Sequence, residues 1–247
     1  MSYNESSITW FKSDLHKIRA KPNMYIGSND SFGLFTILRE LCDNSVDEFQ
    51  AGHNKVIHIE ILDNGSIIVA DKGRGIPCGI HPKAKISTLT VALTSLQSSG
   101  KMSANGKDYT TSIGTHGVGG KCSNALSDHF AVWTFSEGNW WYTKFEKGNE
   151  VVKAGKSSLR RPLANWKQGT IIQFTPDKSM FVKNSALSIK DVVQWATITS
   201  YMNPGLEISI TYKNKTKVFK SSNGAIDLID KRVQDSKATL LGKTLSY

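Results

Sequence analysis

Apolar positions recur at helical spacing in some stretches of the chain and alternate at strand spacing in others. Leu38, Leu41, Cys42, Ser45 and Phe49 return every three or four residues, which predicts a helix over roughly 32–51 that ends at Gly52. Upstream, "SDLHKIRAKPNMYIG" (13–27) offers Ser13 as an N-cap and a break at Pro22. The run 55–71 alternates on both sides of Asn64-Gly65, the strongest short hairpin signal a sequence can carry. Next comes "STLTVALTSLQ" (87–97), read as a helix, and then a loop over 98–116 long enough to be functional or disordered. A further helix opens at the glycine cluster of "VGGKCSNALS".

Beyond it the spacing turns strand-like in "FAVWTFS", "WWYTKFEK", "EVVKAG" and "GTIIQFTP". A helix near 188–202 stops before Pro204, and "LEISITYKNKTKVFKSS" reads as a second hairpin. The tail from "NGAIDLIDKRVQ" onward predicts one more helix, then the first strand of another unit. Strands and helices that do not alternate as βαβ units predict an α+β fold, with helices on one face of a largely antiparallel sheet.

Composition narrows the function only slightly. The 247 residues suit one large domain with an appended piece, and 39% hydrophobic residues suffice for a sizeable core. A formal charge of +10 favours a polyanionic partner such as nucleic acid, a nucleotide or an acidic surface. Cys42, Cys78 and Cys122 are widely spaced and form no Cys-x-x-Cys pair, which argues against a zinc site or a disulfide framework. No apolar run approaches membrane-spanning length and "MSYNESSITWF" lacks a signal-peptide pattern, so a soluble protein of a reducing compartment is expected.

Four segments carry candidate chemistry. On the central helix, Glu40, Asn44, Asp47 and Glu48 form a stripe of oxygen ligands beside a single base, Arg39. Glu40 and Asn44 lie one turn apart on one face. An amide oxygen suits Mg²⁺ when phosphates bring the negative charge, and a carboxylate one turn away could deprotonate a water. The same stripe could equally be a solvated acidic face. In "DKGRGIP" (71–77), Asp71 ends a strand, and the flanking glycines let the backbone approach a flat ligand or simply turn. In "GTHGVGGKCSNALS" (114–127), glycines precede a helix and could cradle phosphates; Thr115 and Cys122 rule out a Walker A loop. In "GTIIQFTPD" (169–177), Thr170 opens an apolar strand and offers a hydroxyl.

In order and spacing, Glu40/Asn44/Asp47, "DKGRGIPCGIHP", "GTHGVGG…SNALS" and the strand opened by Thr170 together resemble the nucleotide-binding motifs of the GHKL ATPases. With "KPNMYIG" (21–27) they are more narrowly similar to the ATPase domain of type IIA topoisomerase B subunits, over residues 1–222. The resemblance implies a two-layer (Bergerat) sandwich of a mixed, mostly antiparallel sheet with helices on one face. It implies an N-terminal dimerisation arm over 1–12, the ATPase domain over 13–222 and the start of a transducer domain over 223–247. ATP and Mg²⁺ are the implied cofactors. The implied partners are DNA, a second copy of the chain and the DNA-cleaving A-type subunit, in the cytoplasm and without a membrane.

By the same resemblance, Glu40 is the general base and Asn44 the Mg²⁺ ligand. Asp47 and Glu48 sit beside the pocket, Asp47 paired with Arg74 or a nearby group. Asp71 holds the adenine amino group, Gly75 and Thr170 complete the base pocket, and Ile76 and Pro77 line it. Lys101, Tyr109 and the backbone of His116, Gly117, Val118 and Gly119 form a lid over the phosphates, and Tyr3 reaches the other protomer's site. Hydrolysis is expected to be slow without the transducer lysine that contacts the γ-phosphate. An alternative of another class is a clamp that binds ATP only to dimerise. Four positions depart from the family pattern: Lys72 stands where a second acid is common and Asn23 where Gly is frequent, neither removing a named role. Thr115 replaces a larger apolar lid residue, and Ser136 stands where bacterial gyrase usually presents the arginine used by aminocoumarin drugs.

Overall fold

The computed structural model describes residues 11–96 and 118–236. Seven helices, α1 (Asp14–Ala20), α2 (Asn23–Ile26), α3 (Ser31–Gln50), α4 (Thr88–Thr94), α5 (Gly119–Ala125), α6 (Ile189–Met202) and α7 (Ala225–Ser236), accompany eight strands there. The strands are β1 (Val56–Ile61), β2 (Ile67–Asp71), β3 (Ser127–Ser136), β4 (Asn139–Glu146), β5 (Asn149–Lys156), β6 (Thr170–Pro176), β7 (Glu207–Tyr212) and β8 (Lys215–Phe219).

They make one sheet in the order β5-β4-β3-β6-β2-β1-β7-β8, in which only β1 and β7 run parallel. Side chains alternate across it. One face (Ile57, Ile59, Ile67, Val69, Phe130, Val132, Phe174, Ile208) buries against the helices through Ile37, Leu38, Leu41, Val46, Leu126 and Val192. The other face carries a smaller cluster, Ile68, Ala70, Ala131, Trp133 and Ile171, that contains no helical residue. The expected mixed two-layer α+β sandwich is what the chain forms.

Local chemistry sets the boundaries. Ser13 accepts the His16 N–H to start α1, and Pro22 separates α1 from α2. Asp30 caps α3 through the Phe32 N–H at 2.8 Å, and α3 ends as Gly52 turns out with φ of 81°. The Asn64-Gly65 signal marks a hairpin, though not the two-residue turn it usually makes. Gly65 N–H donates to Leu62 and Leu62 N–H to Ser66, with only Gly65 at positive φ, which gives a type I turn closed by a bulge. The two-residue turns with both positions at positive φ fall instead at Glu137-Gly138, Lys147-Gly148 and Lys213-Asn214.

Candidate active site

The site gathers where α3, α5 and the ends of β2 and β6 meet. Asp71 closes β2 and Thr170 opens β6, and the sheet register makes these residues, 99 positions apart, direct cross-strand partners. Asp71 is nearly enclosed, at 9% exposure. Its Oδ2 accepts from the Ser45 hydroxyl at 3.0 Å and its Oδ1 from the Gly73 N–H at 2.8 Å. Burial pushes its carboxyl up to about 6; the Gly73 and Ser45 hydrogen bonds counter this and the nearby Glu48 charge adds to it. The result is a buried acceptor with both oxygens oriented before any ligand arrives.

Thr134 on β3 completes this floor. Its hydroxyl accepts the Ile76 N–H at 2.8 Å and lies 3.2 Å from the Thr170 hydroxyl. Gly75 crosses β3 so closely, at φ of 77°, that a Cβ there would strike the Phe135 carbonyl. Ile76 packs against the helical core, and Pro77 is exposed beside it.

Glu40 and Asn44 stand one turn apart on α3, as the spacing requires. α5 begins against them. A Cβ at Gly119 would land inside the Glu40 carboxylate, and the nearest side-chain atom to one at Gly120 belongs to the Asn44 amide. Val118 directly precedes this helix. Arg39 lies 3.9 Å from Glu40 and 3.6 Å from Asp43, and Asp43 also accepts from the Trp195 indole of α6 at 3.3 Å. Burial raises the Asp43 carboxyl to about 6 against the pull of Arg39.

Arg74, expected with Asp47 as one candidate partner, is held by the next residue along the helix. The Arg74 guanidinium grips Glu48, Nε at 3.2 Å and Nη2 at 3.1 Å, and the Arg74 N–H reaches the same carboxylate. Successive helical residues point about 100° apart, so Asp47 turns inward, at 1% exposure, while Glu48 faces the loop. Tyr3, Lys101, Tyr109, His116 and Gly117 lie outside the described residues. Sequence reasoning missed Ser45, which sits within an apolar stripe, and Thr134, which no motif marks. It also missed Trp166, whose indole donates to the Asp71 carbonyl at 2.6 Å. A hydroxyl on an otherwise apolar helix face was the available signal for Ser45.

Among the described residues no cluster of three or more His, Cys, Asp or Glu could hold a metal alone, and no helix is long and apolar enough to cross a membrane.

A sheet backed by helices, whose buried strand-end acid is hydrogen-bonded to a central helix bearing an acid–amide pair, is the arrangement of a nucleotide-binding ATPase fold. The chain belongs to the family described as histidine kinase-, DNA gyrase B- and HSP90-like ATPases, whose profile matches residues 29–180. Within that family it is similar to the ATP-binding domain of type II topoisomerase B subunits. It is 37% identical to the B subunit of DNA gyrase from Metamycoplasma hominis, over 92% of this chain and 34% of that protein. It is 36% identical to the B subunit of DNA topoisomerase 4 from Bacillus subtilis, over 90% and 33% respectively. Among solved structures, the 43K ATPase domain of Thermus thermophilus gyrase B, in complex with an aminocoumarin, superposes with a TM-score of 0.75 at 26% identity. That match covers 90% of this chain and 55% of the other. The chain thus spans about a third of the length of these curated relatives.

Proposed function

We propose that this chain is the ATP-operated gate of a type II DNA topoisomerase acting in the cytoplasm, and that it hydrolyses the nucleotide it binds. The observation that supports this best is the Asp71 constellation: a buried carboxylate, oriented by Ser45 and Gly73 beside Thr170, suits the amino edge of adenine. From that floor, Gly75, Ile76 and Pro77 flank the base and the phosphates run toward α5. Lys101, Tyr109 and His116 through Gly119 would cover them, Lys101 meeting phosphate charge.

Glu40 serves as general base. Its carboxylate lies against the first residue of α5, where an attacking water would be held between the two helices. Asn44 fits a Mg²⁺ that arrives with the nucleotide: a neutral amide is the donor expected when phosphates supply the charge, and among the described residues no cluster competes for the ion. Asn44 would hold the ion there, and the chemistry it would supply is neutralisation of phosphate charge. The residues of this chain position the water and the leaving group's surroundings, which is most of what phosphoryl transfer needs from a protein. Asp47 and the Glu48–Arg74 pair brace the helix and loop that carry these groups.

In this reading ATP draws Tyr3 and the rest of the arm onto a second copy, closing a homodimer around DNA that the A-type subunit cleaves. The competing reading is a clamp that binds ATP without using Glu40. Titration calorimetry with a non-hydrolysable ATP analogue, with and without Mg²⁺, tests the pocket. Binding should need Mg²⁺ and collapse in Asp71→Asn. Phosphate release by Glu40→Ala decides between the readings: loss of turnover with binding retained supports the ATPase, and unchanged dimerisation with no wild-type turnover supports the clamp.

A further inference from the structure

The sheet face away from the helices holds a second feature that the nucleotide site does not use. Trp133 and Tyr142 pack there at a tilt of 43° with ring centres 4.9 Å apart, and Phe135 meets Trp140 edge-on at 5.6 Å. Across them lies the segment 157–169, seated by Leu163 and Trp166 on the cluster of Ile68, Ala70, Ala131, Trp133 and Ile171.

From Val151 to Pro176 the chain contains Lys153, Lys156, Arg160, Arg161 and Lys167 and not one acid. Two cations of this face are mounted on rings: Arg161 lies 4.3 Å over Trp140 and Lys72 lies 4.8 Å over Trp166. Such stacking restrains long side chains that would otherwise lose freedom on meeting a ligand. The acids that share this face are partly matched. Glu146 meets Lys144 at 2.7 Å and Glu207 meets Lys220 at 3.5 Å; burial holds His58 toward its neutral form, which leaves Glu60 beside it and Glu137 at a hairpin turn as the acids not matched by a cation.

We propose that this face, centred on the segment 157–169, is a contact surface for the phosphate backbone of duplex DNA. Charge complementarity selects the occupant: Arg160, Arg161 and Lys167, on an acid-free stretch seated against the sheet, together with Lys72, match a dense line of phosphates. The tryptophans favour duplex over single strand. Trp133 is buried, Trp140 is capped by Arg161, and Trp166 is covered by Lys72 with its N–H given to Asp71, so each is already engaged within the protein. Contact is therefore to backbone and independent of sequence. The segment is also tied to the nucleotide site: Trp166 donates to the Asp71 carbonyl and Gln168 to the Lys72 carbonyl at 2.9 Å.

The proposal takes its choice of polyanion from the topoisomerase reading, and the test separates the two. Binding of the 247-residue chain to a fluorescent duplex is measured by anisotropy over a salt series. The comparison is with Arg160→Gln/Arg161→Gln/Lys167→Gln and with a control of equal charge, Lys213→Gln/Lys215→Gln/Lys217→Gln on the β7–β8 hairpin. The first triple should weaken binding at least about tenfold and lower the salt slope by about 2 to 3, while the control changes little. Calorimetry with the ATP analogue should be alike in all three proteins, which also shows that they are folded. Equal losses in both triples, or no duplex binding by a wild type that binds nucleotide, would overturn the surface and leave the ATPase reading standing. Polyglutamate binding as tightly as the duplex at the same salt would overturn it in favour of an acidic protein partner.

Discussion

The Ser45 hydroxyl, on the buried face of the central helix, donates to Asp71 Oδ2 at 3.0 Å. This bond ties the helix that carries Glu40 and Asn44 to the strand end that would receive adenine. Ser45→Ala leaves one carboxylate oxygen without its donor and removes a force that holds the Asp71 carboxyl down. A hydrogen bond to a charged group contributes about 1.5–3 kcal/mol. Affinity for an ATP analogue should therefore fall roughly tenfold or more at pH 8, with α3 intact by circular dichroism. Unchanged affinity would mean that the backbone donors of Gly73 and Thr170 orient Asp71 without Ser45.

The raised carboxyl of Asp71 predicts a pH dependence with a definite sign. Its folded value of about 6 lies above the ordinary 3.8, so the folded state holds this proton more tightly than the unfolded chain does. The group's contribution to stability is complete below about pH 4 and is lost as pH rises through 6. Nucleotide binding runs the other way, because the carboxylate is the better acceptor for an amino group. Analogue affinity should decline as pH falls below about 6, and Asp71→Asn should flatten the stability curve. Urea midpoints and calorimetry between pH 5 and 8 measure the two slopes.

Much of this arrangement was legible in the sequence, for reasons particular residues make plain. The period of Leu38, Leu41, Cys42 and Ser45 placed the helix, and alternation placed the strands, because both report a buried face directly. Pairing is not periodic, so that Asp71 and Thr170 sit opposite each other emerged only with the register. Asp47 and Glu48 are neighbours in the chain, and that Glu48 faces the loop to meet Arg74 depends on a rotation of about 100° around the helix. Ser45 hid in an apolar stripe because a small hydroxyl buries as readily as alanine does. Trp166 and Gln168 fasten a loop to Asp71 and Lys72 through backbone carbonyls, contacts that leave no trace in residue type.

Gly119 supplies a test of the hydrolytic end of the site. Its Cα lies so near Glu40 that a methyl group there would occupy the carboxylate's place. Gly119→Ala should push Glu40 aside while leaving the Asp71 floor untouched. Turnover is expected to drop by about 10²-fold, the usual scale for a misplaced general base, with analogue affinity changed far less. A matched loss of both would mean that the methyl group disturbs the backbone over the phosphates as much as it displaces Glu40.

Arg19 offers a stability test remote from the nucleotide. It donates to the Ala125 carbonyl at 2.7 Å and to Asp177 at 2.6 Å, clamping α1 onto the end of α5 and the turn after β6. Burial raises the Asp177 carboxyl, yet hydrogen bonds from Ser179 and Arg19 outweigh it and hold the group below its ordinary value. A lowered value means stability present above about pH 4 and lost as pH falls further. Arg19→Ala should cost about 2–3 kcal/mol at neutral pH, in keeping with a half-buried charged pair left with one partner. The urea midpoint should shift without a change in slope, and less so at pH 3.

Ser136 governs the last expectation, which concerns inhibition. It ends β3 with its carbonyl accepting the Trp141 indole at 3.3 Å, and its side chain meets Cys78, two residues past Ile76. The position thus borders the wall of the base pocket, where the family resemblance sets an arginine that aminocoumarins use. A serine is too short to reach a drug lying outside the adenine floor and carries no charge to offer it. Wild-type chain should bind an aminocoumarin weakly, and Ser136→Arg should tighten it by about tenfold or more, the worth of one charge-assisted hydrogen bond. Affinity for the ATP analogue should stay as it was, since no nucleotide contact is assigned to Ser136. Titration of both ligands into both proteins decides the matter. Tight binding of the drug by the wild type would show that another group on this wall, such as the nearby Arg74, already does the arginine's work.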